Sequence, residues 1–375
     1  MKRLALALSL ALGLGLAALA SAPAGAASDR AAASPTPLLA YYYIWFTPTS
    51  WNRAKRDLPL LGRYSSDDTS VMRQHIRWAK SVGITGFLVS WKSTPTLDDR
   101  LARLIEVADD ERFQLGIVYE GLDFERRPLP IETVRHDLER FADTFAGDRA
   151  FAIFDRPVVI WSGTWRYSNA QISHATRNVR GRLLMLASAK NVADYARVAP
   201  LVDGNAYYWS SVNPRRYPDY GVKLRAISAA VHARGGLWIA PAAPGFDARK
   251  VGGSSVVGRE AGATLRTELN VAAGSSPDAI GVISWNEFSE NTFIEPSRAY
   301  GSTSLKVIAE ARGARPPDVS TFDSDAAGTG TTAFGVSYGI VGLSVGCLGL
   351  LALTVVARRR RRPRAVPLAK GPLAR

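Results

Sequence analysis

Short apolar runs recur along the chain, with amphipathic segments between them. Eight stand out: residues 40–46, 86–91, 115–121, 157–163, 182–188, 201–209, 236–244 and 280–287. Each is rich in Val, Ile, Leu, Tyr or Trp and bounded by Gly, Pro or polar residues, as strands buried on both faces are. The segments between them have helical spacing. Residues 67–81 open with an Asp cap and place Val71, Ile76 and Ala79 on one side. Residues 131–146 repeat Val134, Leu138, Phe141 and Phe145, and 97–110 are similar. Weaker helical stretches are 170–180, 192–198, 224–233 and 264–273, and 304–311 is the last. Eight such alternations predict an α/β fold, a (β/α)8 TIM barrel over residues 39–313. A doubly wound open sheet is the alternative. No Gly-rich loop follows the first run, which ends Ile44-Trp45-Phe46-Thr47-Pro48, so phosphate or dinucleotide cradling is not predicted.

Charge changes the picture at the ends. The 375 residues carry 47 Lys and Arg against 33 Asp and Glu, a net +14 that first suggests nucleic acid. Eight of the positives fall in the last 18 residues, and Lys2 and Arg3 add two, which leaves the body near neutral at 37 against 33. Residues 1–26 read as a secretory signal peptide: Met-Lys-Arg, an apolar run, then Ala24-Gly25-Ala26. A disordered leader is expected over 27–38. Residues 333–357 hold no charge and are followed by Arg358 to Arg362. That predicts a single membrane span with the body outside and residues 358–375 as a basic cytoplasmic tail. A Pro-, Asp-, Ser- and Gly-rich stalk is expected over 314–332. Cys347, the single cysteine, lies in the expected span, so the body must be stable without disulfides. His75, His136, His174 and His232 are scattered and read as surface or structural, with no metal set among them.

In a barrel of this type the chemistry sits at the C-terminal strand ends. The residues there are carboxylates and aromatics: Tyr43 and Trp45, Ser90-Trp91-Lys92, Tyr119-Glu120, Asn205 to Trp209, and Trp285 to Glu290. Aromatic faces suit sugar rings, whose hydroxyls stay free to hydrogen-bond. Paired carboxylates suit glycosidic cleavage, and two close together repel, which raises one pKa into the range of an acid. Glu287 and Glu290 are the candidate catalytic pair. Tyr43, Trp45, Trp91, Glu120, Tyr207, Tyr208, Trp285 and Asn286 are the candidate substrate-binding set.

The run from Trp285 to Pro296, Trp-Asn-Glu-Phe-Ser-Glu-Asn-Thr-Phe-Ile-Glu-Pro, resembles the NEW-x-EGT-x-IEP signature of glycoside hydrolase family 99, the endo-α-mannosidases and endo-α-mannanases. Tyr41 to Phe46, Leu61 to Asp67, Val89-Ser90-Trp91, Tyr119-Glu120, Asp155 to Val159, Tyr207-Tyr208 and Pro241 to Phe246 resemble further family segments. The chain departs from the signature at Phe288, where the family has Trp, and at Asn291, where it has Gly. The resemblance implies a retaining hydrolase without metal or cofactor. In it Glu287 deprotonates the sugar's own 2-hydroxyl, which attacks the anomeric carbon, and Glu290 protonates the leaving oxygen and then activates water. It also implies that Glu120 binds hydroxyls near the reacting ring and that Tyr43, Trp91 and Tyr208 line subsites. The expected partner is a glycan rather than a nucleic acid, and the alternative is a non-catalytic glycan-binding protein on the same barrel.

Overall fold

The structure, a computed structural model, describes residues 35–123 and 125–319. The expected signal peptide, membrane span, cytoplasmic tail and most of the leader and stalk lie outside the described residues. No helix among the described residues is long and apolar enough to cross a membrane.

Eight parallel strands close into a barrel: β1 (Leu38–Tyr43), β2 (Gly86–Trp91), β3 (Gln114–Glu120), β4 (Val158–Ser162), β5 (Leu184–Ala187), β6 (Gly204–Ala206), β7 (Leu237–Ala242) and β8 (Ala279–Val282). They pair in chain order, and β8 returns to β1 with Leu38 opposite Ile280. The helices are α1 (Thr69–Ser81), α2 (Pro95–Asp110), α3 (Ile131–Thr144), α4 (Asn169–Thr176), α5 (Val192–Val198), α6 (Tyr220–His232), α7 (Ala263–Ala273) and α8 (Thr303–Arg312). After β7 a two-residue antiparallel pair forms between Phe246–Asp247 and Val256–Val257.

Successive strand side chains point to opposite faces, so the core has two layers. Leu39, Leu88, Val118, Ile160, Leu186 and Ile239 belong to a cluster inside the barrel. Phe87, Val89, Leu101, Leu104, Leu138 and Phe141 belong to the larger cluster between the strands and the helices. This alternation decides which residue of each strand end reaches the mouth.

Four expected boundaries shift. The chain is already in β1 at Leu38, inside the expected leader. The first helix is capped by Asp68, which accepts from Ser70 N and Val71 N; Asp67 instead receives the guanidinium of Arg100 through two 2.8 Å bonds. The sixth and eighth apolar runs are longer than their strands. Residues 199–201 form a 3-10 turn before β6, and β8 ends at Val282, after which the chain keeps single bonds to β7 (Ile283 N to Ala242 O) and to β1 (Trp285 N to Tyr41 O) while Ser284 N turns to Thr292 O of its own loop.

Gly204 is the tightest point of the barrel wall. A Cβ there would meet the backbone O of Leu237 at 2.1 Å and its N at 2.6 Å. Neither can move without opening the β6–β7 pairing. Gly204→Ala is therefore expected to cost about 1–3 kcal/mol, read as a lower urea midpoint. An unchanged midpoint would contradict this packing.

Candidate active site

The loop after β8 presents the two glutamates, and its own bonds tie it down. Ser284 N donates to Thr292 O at 2.9 Å, and Ile294 N donates back to Ser284 O at 2.9 Å. Trp285 N donates to Tyr41 O at 2.7 Å, so the loop is also anchored to β1. From outside, buried Arg259 donates to Asn291 O at 3.0 Å and Phe293 O at 2.7 Å. Its guanidinium packs over the rings of Phe293 and Tyr300.

Glu287 and Glu290 are both buried, 3 % and 5 % exposed, but their surroundings differ. Glu287 Oε1 accepts the backbone N–H of Ser289 at 2.7 Å. Glu290 Oε1 has no hydrogen-bond partner among the described residues. Burial raises the Glu287 pKa, and the Ser289 bonds and the Lys55 charge pull it back down. Burial raises Glu290 well above the usual carboxylate range, and the charges of Glu287 and Glu120 add to this while Arg126 opposes it. One carboxyl is thus supported as an anion and its neighbour is favoured as the neutral acid, the division of labour that acid–base chemistry needs.

Around this pair stand Glu120, Tyr43 and Tyr208. Glu120 Oε1 accepts from Ser90 Oγ at 2.9 Å, and burial raises its pKa. The hydroxyls of Tyr43 and Tyr208 meet at 2.5 Å. Tyr208 stacks on Tyr41 at 4.5 Å, and Trp45, half-buried, packs on Tyr43 at 4.3 Å.

Four expected substrate-binding residues lie elsewhere. Trp91 is on the outward face of β2, where its Nε1 donates to Asp98 at 3.0 Å and its ring packs on Phe141. Ser90, one residue earlier, is the side chain that faces Glu120. Tyr207 likewise points outward: its hydroxyl accepts from Lys223 Nζ at 3.0 Å, beside Tyr220. Trp285 is fully buried against His75 and Phe87. Asn286, also fully buried, bonds to Tyr43 rather than to the mouth. The period-two rule, applied from Leu88 and Ala206, picks Ser90 and Tyr208 over Trp91 and Tyr207.

No protein-family profile matches the chain, and no curated protein sequence does. Solved structures do. The endo-α-mannosidase of glycoside hydrolase family 99 from Bacteroides thetaiotaomicron, in complex with bis-tris propane, superposes with a TM-score of 0.64 at 19% identity over 73% of this chain and 95% of that one. A second structure of that endo-α-mannosidase gives 0.64 at 18% identity, covering 74% and 96%. A glycoside hydrolase-like protein gives 0.60 at 18% identity, covering 74% and 94%. The chain has the fold of a family 99 glycoside hydrolase.

Within this fold both departures from the family signature have physical explanations. Asn291 has φ 56°, in the left-handed region that Gly occupies freely and Asn tolerates better than other residues. Phe288 is fully buried and stacks on Phe293 at 3.9 Å, with Trp51 edge-on at 5.5 Å. It belongs to the packing beneath the loop.

A polar network beneath the strand ends has no sequence signal beyond the separate residue types. Glu295 Oε2 accepts from the Tyr64 hydroxyl at 2.9 Å. His75 Nε2 stands 3.1 Å from Glu295 Oε1, an ion-pair distance off the line of a hydrogen bond. His75 Nδ1 meets the Tyr42 hydroxyl at 3.0 Å. Asn286 Nδ2 lies 3.4 Å from the Tyr64 hydroxyl and donates to Tyr43 O at 3.0 Å, while its Oδ1 accepts from Tyr43 N at 2.8 Å. Helix α1, β1 and the glutamate loop are thereby locked together. Asn286→Ala leaves a buried N–H and C=O of Tyr43 unpaired. It is expected to destabilise the fold by about 2–4 kcal/mol, measured by denaturant unfolding. A loss of glycan affinity at unchanged stability would restore Asn286 to the substrate-binding set.

Proposed function

We propose that this protein is a retaining, endo-acting glycoside hydrolase of α-mannosidic or related α-glycans. The observation that carries the reading is the unequal Glu287–Glu290 pair at the mouth of a barrel with the family 99 fold. Glu287 is the base, because the Ser289 N–H supports its anion. Glu290 is the acid, because its Oε1 has no hydrogen-bond donor among the described residues and burial and two carboxyls outweigh the charge of Arg126. In the first step Glu287 takes the proton of the sugar's 2-hydroxyl, and that oxygen attacks the anomeric carbon. The glycosidic C–O bond breaks as Glu290 gives its proton to the leaving oxygen. In the second step Glu290 takes a proton from water, whose oxygen attacks the anomeric carbon and opens the strained ring. Glu287 returns its proton to the 2-oxygen. Two inversions give net retention. Glu120 accepts from hydroxyls of the reacting sugar, and Tyr43, Tyr208 and Trp45 pack along it. Neither step calls on a metal or a cofactor.

The sequence of the two ends supports an exported enzyme held on the cell membrane. The basic start and apolar run of residues 1–26 would direct export. The uncharged stretch 333–357 would anchor the chain, and the arginines that follow it would stay in the cytoplasm.

Glu290→Gln is expected to lower kcat for an unactivated α-mannan by about 10²–10⁴-fold, the range for losing general acid–base catalysis. Glycan binding should persist. Turnover within tenfold of the parent would overturn the role assignment. Binding without turnover by the parent itself would favour the non-catalytic reading.

The pH dependence follows from the same two groups. Activity should fall at low pH as Glu287 gains a proton and at high pH as Glu290 loses one. Because burial raises both, the bell of kcat/KM should lie well above the ordinary Glu value of about 4.3. The sign for stability is the reverse of that for a salt-bridged carboxylate. A raised value in the fold gives stability that is full below the ordinary value and is lost as pH rises through the raised one. Glu290→Gln should therefore melt at or above the parent temperature, increasingly so toward alkaline pH. A thermal shift series across pH checks this, and a variant less stable than the parent at every pH would contradict it.

A further inference from the structure

The loops after β4, β5 and β6 have a chemistry the mechanism does not use. In the ring of eight strands β4 stands opposite β8, and β5 and β6 continue from it toward β7, so these loops form one side of the mouth that runs from opposite the glutamate loop toward it. The turn Thr164–Arg166 follows β4 and carries Trp165. Lys190 follows β5, and Trp209 follows β6. Lys190 Nζ lies over both indoles, 3.9 Å from the Trp209 ring centre and 5.2 Å from that of Trp165. The two rings are 5.4 Å apart. This ammonium forms the two ring contacts and no ion pair among the described residues.

Two further observations point to a ligand. Trp209 is 9 % exposed, yet its indole N–H finds no acceptor among the described residues. A buried donor left unpaired is costly unless something supplies the acceptor. The cations here also face one another. Burial lowers the Lys190 pKa, Asp194 opposes this, and the charges of Arg126, Arg166 and Lys223 lower it further. Arg166 is exposed. Arg126 also acts on Glu120 and Glu290, so the basic arc extends toward the reacting carboxylates. A protein body near neutral has concentrated several cations at one rim of its cleft. An anion there would relieve their repulsion.

We propose that the loops after β4, β5 and β6 form a subsite for the anionic substituent of an acidic glycan. Lys190 and Trp209 Nε1 donate to its carboxylate or phosphate oxygens, and Trp165 packs against the sugar that carries it. The substrate class is thus an α-glycan bearing uronate or phosphate groups. This rests on the glycan reading above and narrows it.

The test measures binding and turnover separately. Binding of short neutral, uronate-bearing and phosphorylated α-mannooligosaccharides to the full-length Glu290→Gln protein is measured by calorimetry at low and high salt. Turnover of the matched polymers is followed with the parent. One or both acidic ligands should bind at least about tenfold tighter than the neutral one, with a preference that shrinks in high salt. Which of the two does so identifies the anion. Lys190→Gln should reduce that preference about tenfold or more, mainly through KM, the loss expected for one charge-assisted hydrogen bond. Lys190→Arg should retain most of it. Equal binding of acidic and neutral ligands would overturn the subsite while leaving the hydrolase reading standing. Lys190-dependent acidic binding with no turnover of any polymer would uphold the subsite and end the hydrolase reading. A single-stranded oligonucleotide that binds as tightly as the acidic glycan would overturn the proposal in favour of a general polyanion surface.

Discussion

A closed parallel barrel allows only every second residue of a strand to face inward, and the whole site depends on that restriction. On β1 it turns Tyr41 and Tyr43 toward Tyr208 and sends Tyr42 out to His75 and the helix layer. On β2 and β3 it brings Ser90 to Glu120 and places Trp91 and Tyr119 in the outer layer. Beyond Ala206 it gives Tyr208 to the mouth and Tyr207 to α6. Aromatic residues are frequent at these strand ends, and half of them are simply core. The mouth is therefore narrower in chemistry than the list of strand-end residues, with three carboxyls and a small set of stacked rings.

Burial then does most of the electrostatic work. Glu287 and Glu290 are buried and Glu120 stands half-buried beside them, so ionising all three is unfavourable. The structure resolves this unevenly. Glu287 and Glu120 each have a hydrogen-bond donor, and Glu290 has a bare oxygen. Such an arrangement works only if the loop holding the pair does not relax. Arg259 outside the loop and the Glu295–Tyr64–Asn286 network beneath it provide that rigidity. Few of these bonds are local in sequence: Tyr43 and Asn286 are 243 residues apart.

Much of the architecture was legible in the chain itself. Eight buried strands leave eight apolar runs, and the amphipathic segments between them leave a 3.6-residue period. Local physics produces both signals, so they survive without any knowledge of the tertiary fold. The eighth-strand motif was legible for a related reason: its residue types sit side by side in the sequence. Even its two departures kept the required physics, an Asn where φ is positive and a Phe where an aromatic ring is buried.

Other features required the barrel to close. Strand ends could not be set to the residue, because bonds to the neighbouring strands run on past β6 and β8 into their loops, from Tyr207 N to Ile239 O and from Ile283 N to Ala242 O. Whether Trp91 or Ser90 faces the substrate is a question of register, and one residue of slip reverses the answer. His75 gave no hint of joining Glu295, Tyr42 and Tyr64; the four residues come from four separated segments. Lys190, Trp165 and Trp209 lie after three different strands and meet only at the barrel rim. Composition and periodicity determine that this chain makes a barrel with carboxylates at its mouth. Only the folded barrel decides which carboxyl keeps its proton and which rings and cations stand beside it, because those depend on distances between residues far apart in the chain.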